Sequence, residues 1–121
     1  MRIYHRPLAP IELRQLAGRP PQGYGGRLIA HLGLNETSGT TASDSGPFGH
    51  DGMLLGGLDF AMASVPGRYG NALALDGVDD RIDLGALDFT GLEALTMSAW
   101  VRPSDPTRNQ RVANKDQVGI P

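Results

Sequence analysis

The sequence predicts an all-β protein, an antiparallel β-sandwich with one short helix near its N-terminus. Three observations predict it. Seventeen glycines and nine prolines punctuate 121 residues, the apolar runs between them are short, and one segment alone reads as a helix. Frequent turn formers between short apolar segments are the mark of sandwiches rather than of bundles or parallel α/β folds.

The elements follow in order. Arg2-Ile3-Tyr4 reads as a short strand, broken by His5-Arg6-Pro7. Pro10 to Ala17 reads as a two-turn helix, with proline at its start and Gly18 after its end. Residues 19–27, RPPQGYGGR, have linker composition. Leu28 to Leu34 predicts a strand with Leu28, Ala30, Leu32 and Leu34 on one face. Asn35 to Gly52 is a long loop of turn formers, and Met53-Leu54-Leu55 a short strand closed by Gly56-Gly57. Pro66 to Gly70 is a turn. Asn71–Leu75 and Arg81–Leu84 flank Asp76-Gly77-Val78-Asp79-Asp80, which predicts a hairpin or a sharp sheet corner. Leu95 to Arg102 alternates best of all, so Leu95, Met97, Ala99 and Val101 are expected to face the core. Arg111–Asn114 is a further candidate strand.

Composition narrows the function. Forty per cent apolar and twenty per cent charged residues suit a folded chain. A formal charge of −2, with ten arginines scattered rather than clustered, gives no electrostatic footprint for nucleic acid. The absence of cysteine excludes disulfides and thiolate metal sites. No apolar run approaches the roughly 18 residues of a membrane span, and no signal-peptide pattern follows Met1.

Three stretches carry a family resemblance: LIAHLGLNETSGTTASDSGPFGHDGML, VPGRYGNALALDGVDDRIDLG and LTMSAWVRP. Their order and spacing resemble the laminin-G-like (concanavalin A-like) jelly-roll family over residues 28 to about 115. The elements are Leu34-Asn35-Glu36, Ser38 to Thr41, Asp44 to Gly52, Gly67 to Leu75, Asp76 to Asp80 and Leu95 to Val101. Leu32 departs from the usual aromatic, and Asn35 from a common aspartate. MRIYHRPLAPIELRQLAG resembles the closing strand and terminal helix of the same family. The resemblance therefore implies three parts: residues 1–18 as the tail of a preceding domain, 19–27 as linker, and 28–121 as the N-terminal part of an incomplete jelly roll. Because first and last strands of such domains are neighbours, residues 2–4 are expected to pair with the strand beginning at Leu28, which would cover an otherwise open edge.

Candidate sites follow. Asp44, Asp76 and Asp79 are candidate metal ligands: many relatives bind a structural calcium near this region, and calcium takes carboxylate and carbonyl oxygens from irregular loops. The same residues are what tight turns require in any case. Phe48 and Trp100 are candidate ligand-binding aromatics, with loop anchoring and sandwich packing as their structural alternatives. No catalytic residues are expected. Glu12, Glu36 and Glu93 each lack an aspartate two residues on, so the paired-carboxylate strand of jelly-roll glycosidases is missing. His5, His31 and His50 form no zinc motif, no serine sits in a nucleophile elbow, and Gly23–Gly26 lacks the Lys-Ser/Thr pair and helix of a phosphate loop.

The expected function is a non-catalytic binding or adhesion module for a glycan or an extracellular protein, supported by calcium. It would belong to a larger exported or cell-surface protein with tandem laminin-G-like domains. The alternatives are a structural spacer and an accessory domain of a glycoside hydrolase or protease whose catalytic residues lie elsewhere.

Overall fold

The computed structural model describes residues 1–4, 7–11, 28–87, 89 and 94–115. Beyond Ile11 the expected helix, the linker 19–27 and residues 116–121 lie outside the described residues.

Eight strands and one helical turn are described. They are β1 (Arg2–Tyr4), β2 (Leu28–His31), β3 (Thr41–Ala42), β4 (Gly52–Leu55), α1 (Phe60–Ala63), β5 (Ser64–Pro66), β6 (Asn71–Leu73), β7 (Arg81–Asp83) and β8 (Thr96–Ser98). They form three antiparallel sheets, ordered β2-β1-β8, β3-β4-β7 and β5-β6. The architecture is all-β and sandwich-like, as the glycine-rich punctuation predicts.

β1 lies in the middle of its sheet. Ile3 is opposite Ala30 on one side and Met97 on the other. Its side chain is 1% exposed and packs with Ala30 and Leu87. The expected pairing of residues 2–4 with the Leu28 strand is thus present, and a second partner, β8, is added to it. Leu32 and Met1 exchange a further backbone hydrogen bond of 3.0 Å.

The second core cluster gathers Leu32, Ala42, Leu54, Leu58 and Phe60, with Leu34, Ile82 and Leu84 packed against it. Leu84 also packs on the first cluster, so it joins the two. The alternation expected of β2 holds: Leu28, Ala30 and Leu32 are buried, and Leu34 is half-buried. α1 is absent from the sequence reading because one turn is too short to show periodicity. Its N-cap is plain in retrospect: the Asp59 side chain accepts from the Ala61 N–H at 2.6 Å. The turn exists to deliver Phe60, fully buried, into the core.

Of the two readings of Asp76–Asp80, the structure shows the sheet corner rather than the hairpin: β6 pairs with β5 and β7 with β4. Three expectations need correction. β3 lies within what reads as a continuous loop, because its two residues are too few for an alternation signal. The Leu95–Arg102 strand shrinks to Thr96–Ser98, and its alternate residues are not core: Met97 is 43% exposed, and Leu95, Ala99 and Val101 are exposed too. Met97 shares a face with buried Ile3, but β8 is the last strand of its sheet and burial fades there. Arg111–Asn114 is exposed and irregular, not a strand.

The central position of β1 is open to test. Ile3→Ala is expected to destabilise the chain by about 2–4 kcal/mol, the range for emptying a buried aliphatic site, and Ile3→Val by about 1 kcal/mol, both read from denaturant melts. Amide exchange at residues 2–4 should be as slow as at Leu28–His31. Exchange as fast as in the exposed Asp105–Arg108 turn would place β1 outside the cooperative sheet.

Candidate functional site

The first group is built around Asp44, on the loop that follows β3. Asp44 forms an isolated antiparallel bridge with Leu32, which continues β2. Its Oδ1 accepts from the N–H groups of His31 (2.8 Å) and Gly46 (2.7 Å), and its Oδ2 from that of His50 (2.8 Å). Around it, Asp44 donates its own N–H to Asp51 Oδ1 at 2.8 Å, and Ser45 donates its N–H to the His31 carbonyl at 2.9 Å. Partial burial works against the charge on Asp44, but the three N–H donors and the nearby His50 prevail and hold its carboxyl below the usual value. Most of its acceptor capacity is therefore spent on backbone. This is loop fastening, the turn chemistry that Asp supplies most readily.

His31 lies beside it. Its Nδ1 is 2.7 Å from Ser45 Oγ, which also lies 3.1 Å from the His31 carbonyl. Burial, then the charges of Arg2 and the Met1 amino group, push the imidazole below its usual value, against an opposing pull from Asp44. The environment therefore favours the neutral form of the ring.

The second group is the corner after β6. One carboxylate oxygen from each of Asp76, Asp79 and Asp80 lies within 4.8 Å of the others. Oxygens around a single calcium ion stand 2.3–2.6 Å from it and so up to about 5 Å apart, and this triad fits that requirement. The corner is shaped by its own backbone. Asp76 Oδ1 accepts from the N–H groups of Val78 (2.8 Å), Asp79 (3.3 Å) and Asp80 (3.4 Å), while Asp80 Oδ2 accepts from that of Asp76 (3.0 Å). Chiefly through the Val78 N–H, these donors lower the Asp76 carboxyl. Gly56, with φ +85°, lies so close beneath that a Cβ there would run into the Asp79 carbonyl. Of the predicted ligands, the structure brings Asp76 and Asp79 together, leaves Asp44 out of the group, and adds Asp80. Asp83 is also outside it, accepting instead from the Gly85 N–H at 2.7 Å.

The third group is aromatic. Trp100 is 58% exposed and meets Tyr69 edge-on, with ring centroids 6.4 Å apart at 72°. The Arg68 guanidinium lies over both rings, 4.8 Å from the Tyr69 centroid and 5.5 Å from that of Trp100. Phe48 is 64% exposed, its ring 6.1 Å from that of His50. Phe48 and Trp100 thus belong to separate ring contacts, Phe48 with His50 and Trp100 with the Arg68-Tyr69 turn. Arg68 is the residue that sequence reasoning missed, since a guanidinium in a glycine turn carries no motif.

Comparison with family models, curated proteins and solved structures finds no match in any of the three.

The Asp44 fastening makes a pH prediction. Its carboxyl is depressed from 3.8 in the fold, so the stability it confers is present above pH 3.8 and disappears as pH falls through the lower folded value. His31 is depressed from 6.5, so its neutral form favours the fold; that contribution is complete above pH 6.5 and declines as pH drops toward the folded value. In denaturant melts, a loss that sets in below pH 6.5 should therefore be diminished by His31→Gln, and a separate loss below pH 3.8 by Asp44→Asn. In the same melts, Asp44→Ala should cost about 1–2 kcal/mol at neutral pH, discounted for its partial exposure. An NMR titration midpoint for His31 at or above 6.5 would contradict the assigned environment.

Proposed function

We propose that the chain is a laminin-G-like jelly-roll unit serving as a non-catalytic binding or adhesion module. It would take a glycan or an extracellular protein at its rim loops, with calcium held at the Asp76–Asp80 corner, within a larger exported protein. The observation that carries this reading is the Trp100-Tyr69 pair under the Arg68 guanidinium, with Trp100 exposed and Tyr69 half-buried. The exposed Trp100 ring retains surface for a ligand, and aromatic and arginine side chains are the usual anchors of binding surfaces. The laminin-G-like sequence pattern supports the assignment of class, and the antiparallel sheets agree with it at the level of architecture.

Asp76, Asp79 and Asp80 would be the ligands of the ion. Three carboxylates leave the rest of the six to eight oxygens to water or carbonyls, which points to a weak, exposed site. A bound cation would neutralise the corner's mutual repulsion and stiffen the chain between β6 and β7.

The test is binding by the purified chain to an oligosaccharide array and to extracellular-matrix proteins, with calcium or with a chelator. Saturable binding that weakens at least tenfold with chelator, and likewise in Asp76→Asn/Asp80→Asn, is the expected outcome. Saturable binding indifferent to both would remove calcium from the reading. The absence of saturable binding throughout would leave a spacer.

A further inference from the structure

We propose that the cleft between the end of β2 and the Arg68–Gly70 turn is a saccharide subsite, and that its ligand is a neutral sugar contacted by Glu36 and Tyr69. This rests on the binding-module reading above and names the place and ligand class within it.

The cleft has a volume of about 620 Å³ and is open to solvent, within the roughly 300–1,000 Å³ of small-ligand sites. Its polar lining comes from His31, Asn35, Glu36, Ser43, Ser45 and Tyr69. Glu36 is the unusual member. Its Oε1 accepts from the Ser43 N–H at 2.7 Å, whereas Oε2 is shut off from solvent and has no hydrogen-bond partner among the described residues. A carboxylate oxygen stripped of water and left unpaired is costly, and native structures rarely keep one without a reason. The last torsion of a glutamate is broad, so a modest turn presents Oε2 to a donor in the cleft.

The wall is held to this shape. Leu34, between Gly33 and Asn35, has φ +58°, a conformation that a branched residue adopts only when its surroundings impose it. Its neighbour Asn35 accepts the Asn71 N–H on Oδ1 at 2.8 Å. Gly70, at φ +69°, is so close that a Cβ would collide with that same oxygen. Asn35 and the turn bearing Tyr69 are thereby locked together, and strain at a cleft wall accords with a preorganised site.

The chemistry selects the ligand. Among the described residues the lining itself contains a carboxylate and no arginine or lysine, and the neighbouring Arg68 guanidinium is held over the Tyr69 and Trp100 rings, so an anion finds no cation within the lining. Two serine hydroxyls, an amide and an imidazole stand in a lining that is otherwise largely apolar, which suits a guest with both hydroxyls and a C–H face. Metal ligation is disfavoured because Asp76, Asp79 and Asp80 form the chelating group found among the described residues, and none of them lines this cleft. A sugar ring meets what remains: hydroxyls that donate to Glu36 and exchange hydrogen bonds with Ser43 and Ser45, and a C–H face for the Tyr69 wall.

An array of neutral, amino and sialylated oligosaccharides identifies the best neutral binder, which is then titrated into the ¹⁵N-labelled chain. Shift changes should concentrate at residues 31–36, 43–45 and 69–70. Tyr69→Ala should weaken binding at least tenfold and Glu36→Gln at least threefold, with melting curves like that of the parent, while Met62→Ala, on a residue 89% exposed, should bind as the parent does. Sugar binding that maps elsewhere and ignores Glu36→Gln overturns the subsite and leaves the module reading intact. So does saturable binding to protein alone, or preference for sialylated over neutral sugars. No saturable binding to any sugar or protein overturns both.

Discussion

The carboxylate of Asp44 is the constraint on which the loop side of this structure depends. The stretch from Asn35 to Asp51 has little sheet ladder of its own, yet its backbone donors must be satisfied. Asp44 meets three of them at once, from His31, Gly46 and His50. Asp51 and Glu36 do the same for the N–H groups of Asp44 and Ser43. Acidic side chains thus take the place of a neighbouring strand and fix a polar loop against the end of β2. The places of His31, Ser43 and Ser45 around the cleft follow from that fastening.

Much of the architecture was legible because it rests on local rules. The alternation of Leu28, Ala30 and Leu32 identified the buried face of β2, and Met53–Leu55 was recognisable from its apolar run ended by glycines. What escaped was decided by tertiary contact. Thr41–Ala42 is a strand only because β4 lies beside it, and Phe60–Ala63 is a helical turn that exists to bury one ring. The alternation of Leu95 to Val101 misled for the complementary reason. Periodicity states which residues share a face, not whether anything covers that face.

The candidate sites divide along the same line. That Asp76 and Asp79 would meet was readable from their closeness in one tight corner. Asp44, about thirty residues earlier in the chain, was attached to them by family pattern, and spatial placement assigns it to backbone instead. Trp100 stands out in the sequence as the single tryptophan, but its ring partners come from the Gly67–Gly70 turn, far away in sequence, and no spacing rule connects them.

The acidic residues can be ranked by what the fold leaves them free to do. An ionised carboxylate offers about four acceptor positions. Asp44 and Asp76 each spend three on backbone N–H groups, and each has its carboxyl lowered accordingly. Their charge is largely structural, and any ion at the Asp76 corner would rely on the oxygens those bonds leave over. Glu36 spends one, on Ser43, and its second oxygen is shut off from solvent with no partner among the described residues. Unused capacity that is still solvated contributes little to recognition, because water already satisfies it. Unused capacity that the fold has dehydrated is different, since a correctly placed donor recovers a cost the free protein carries. By that measure the half-buried glutamate in the cleft is better disposed toward a ligand than the conspicuous aspartates on the exposed corner.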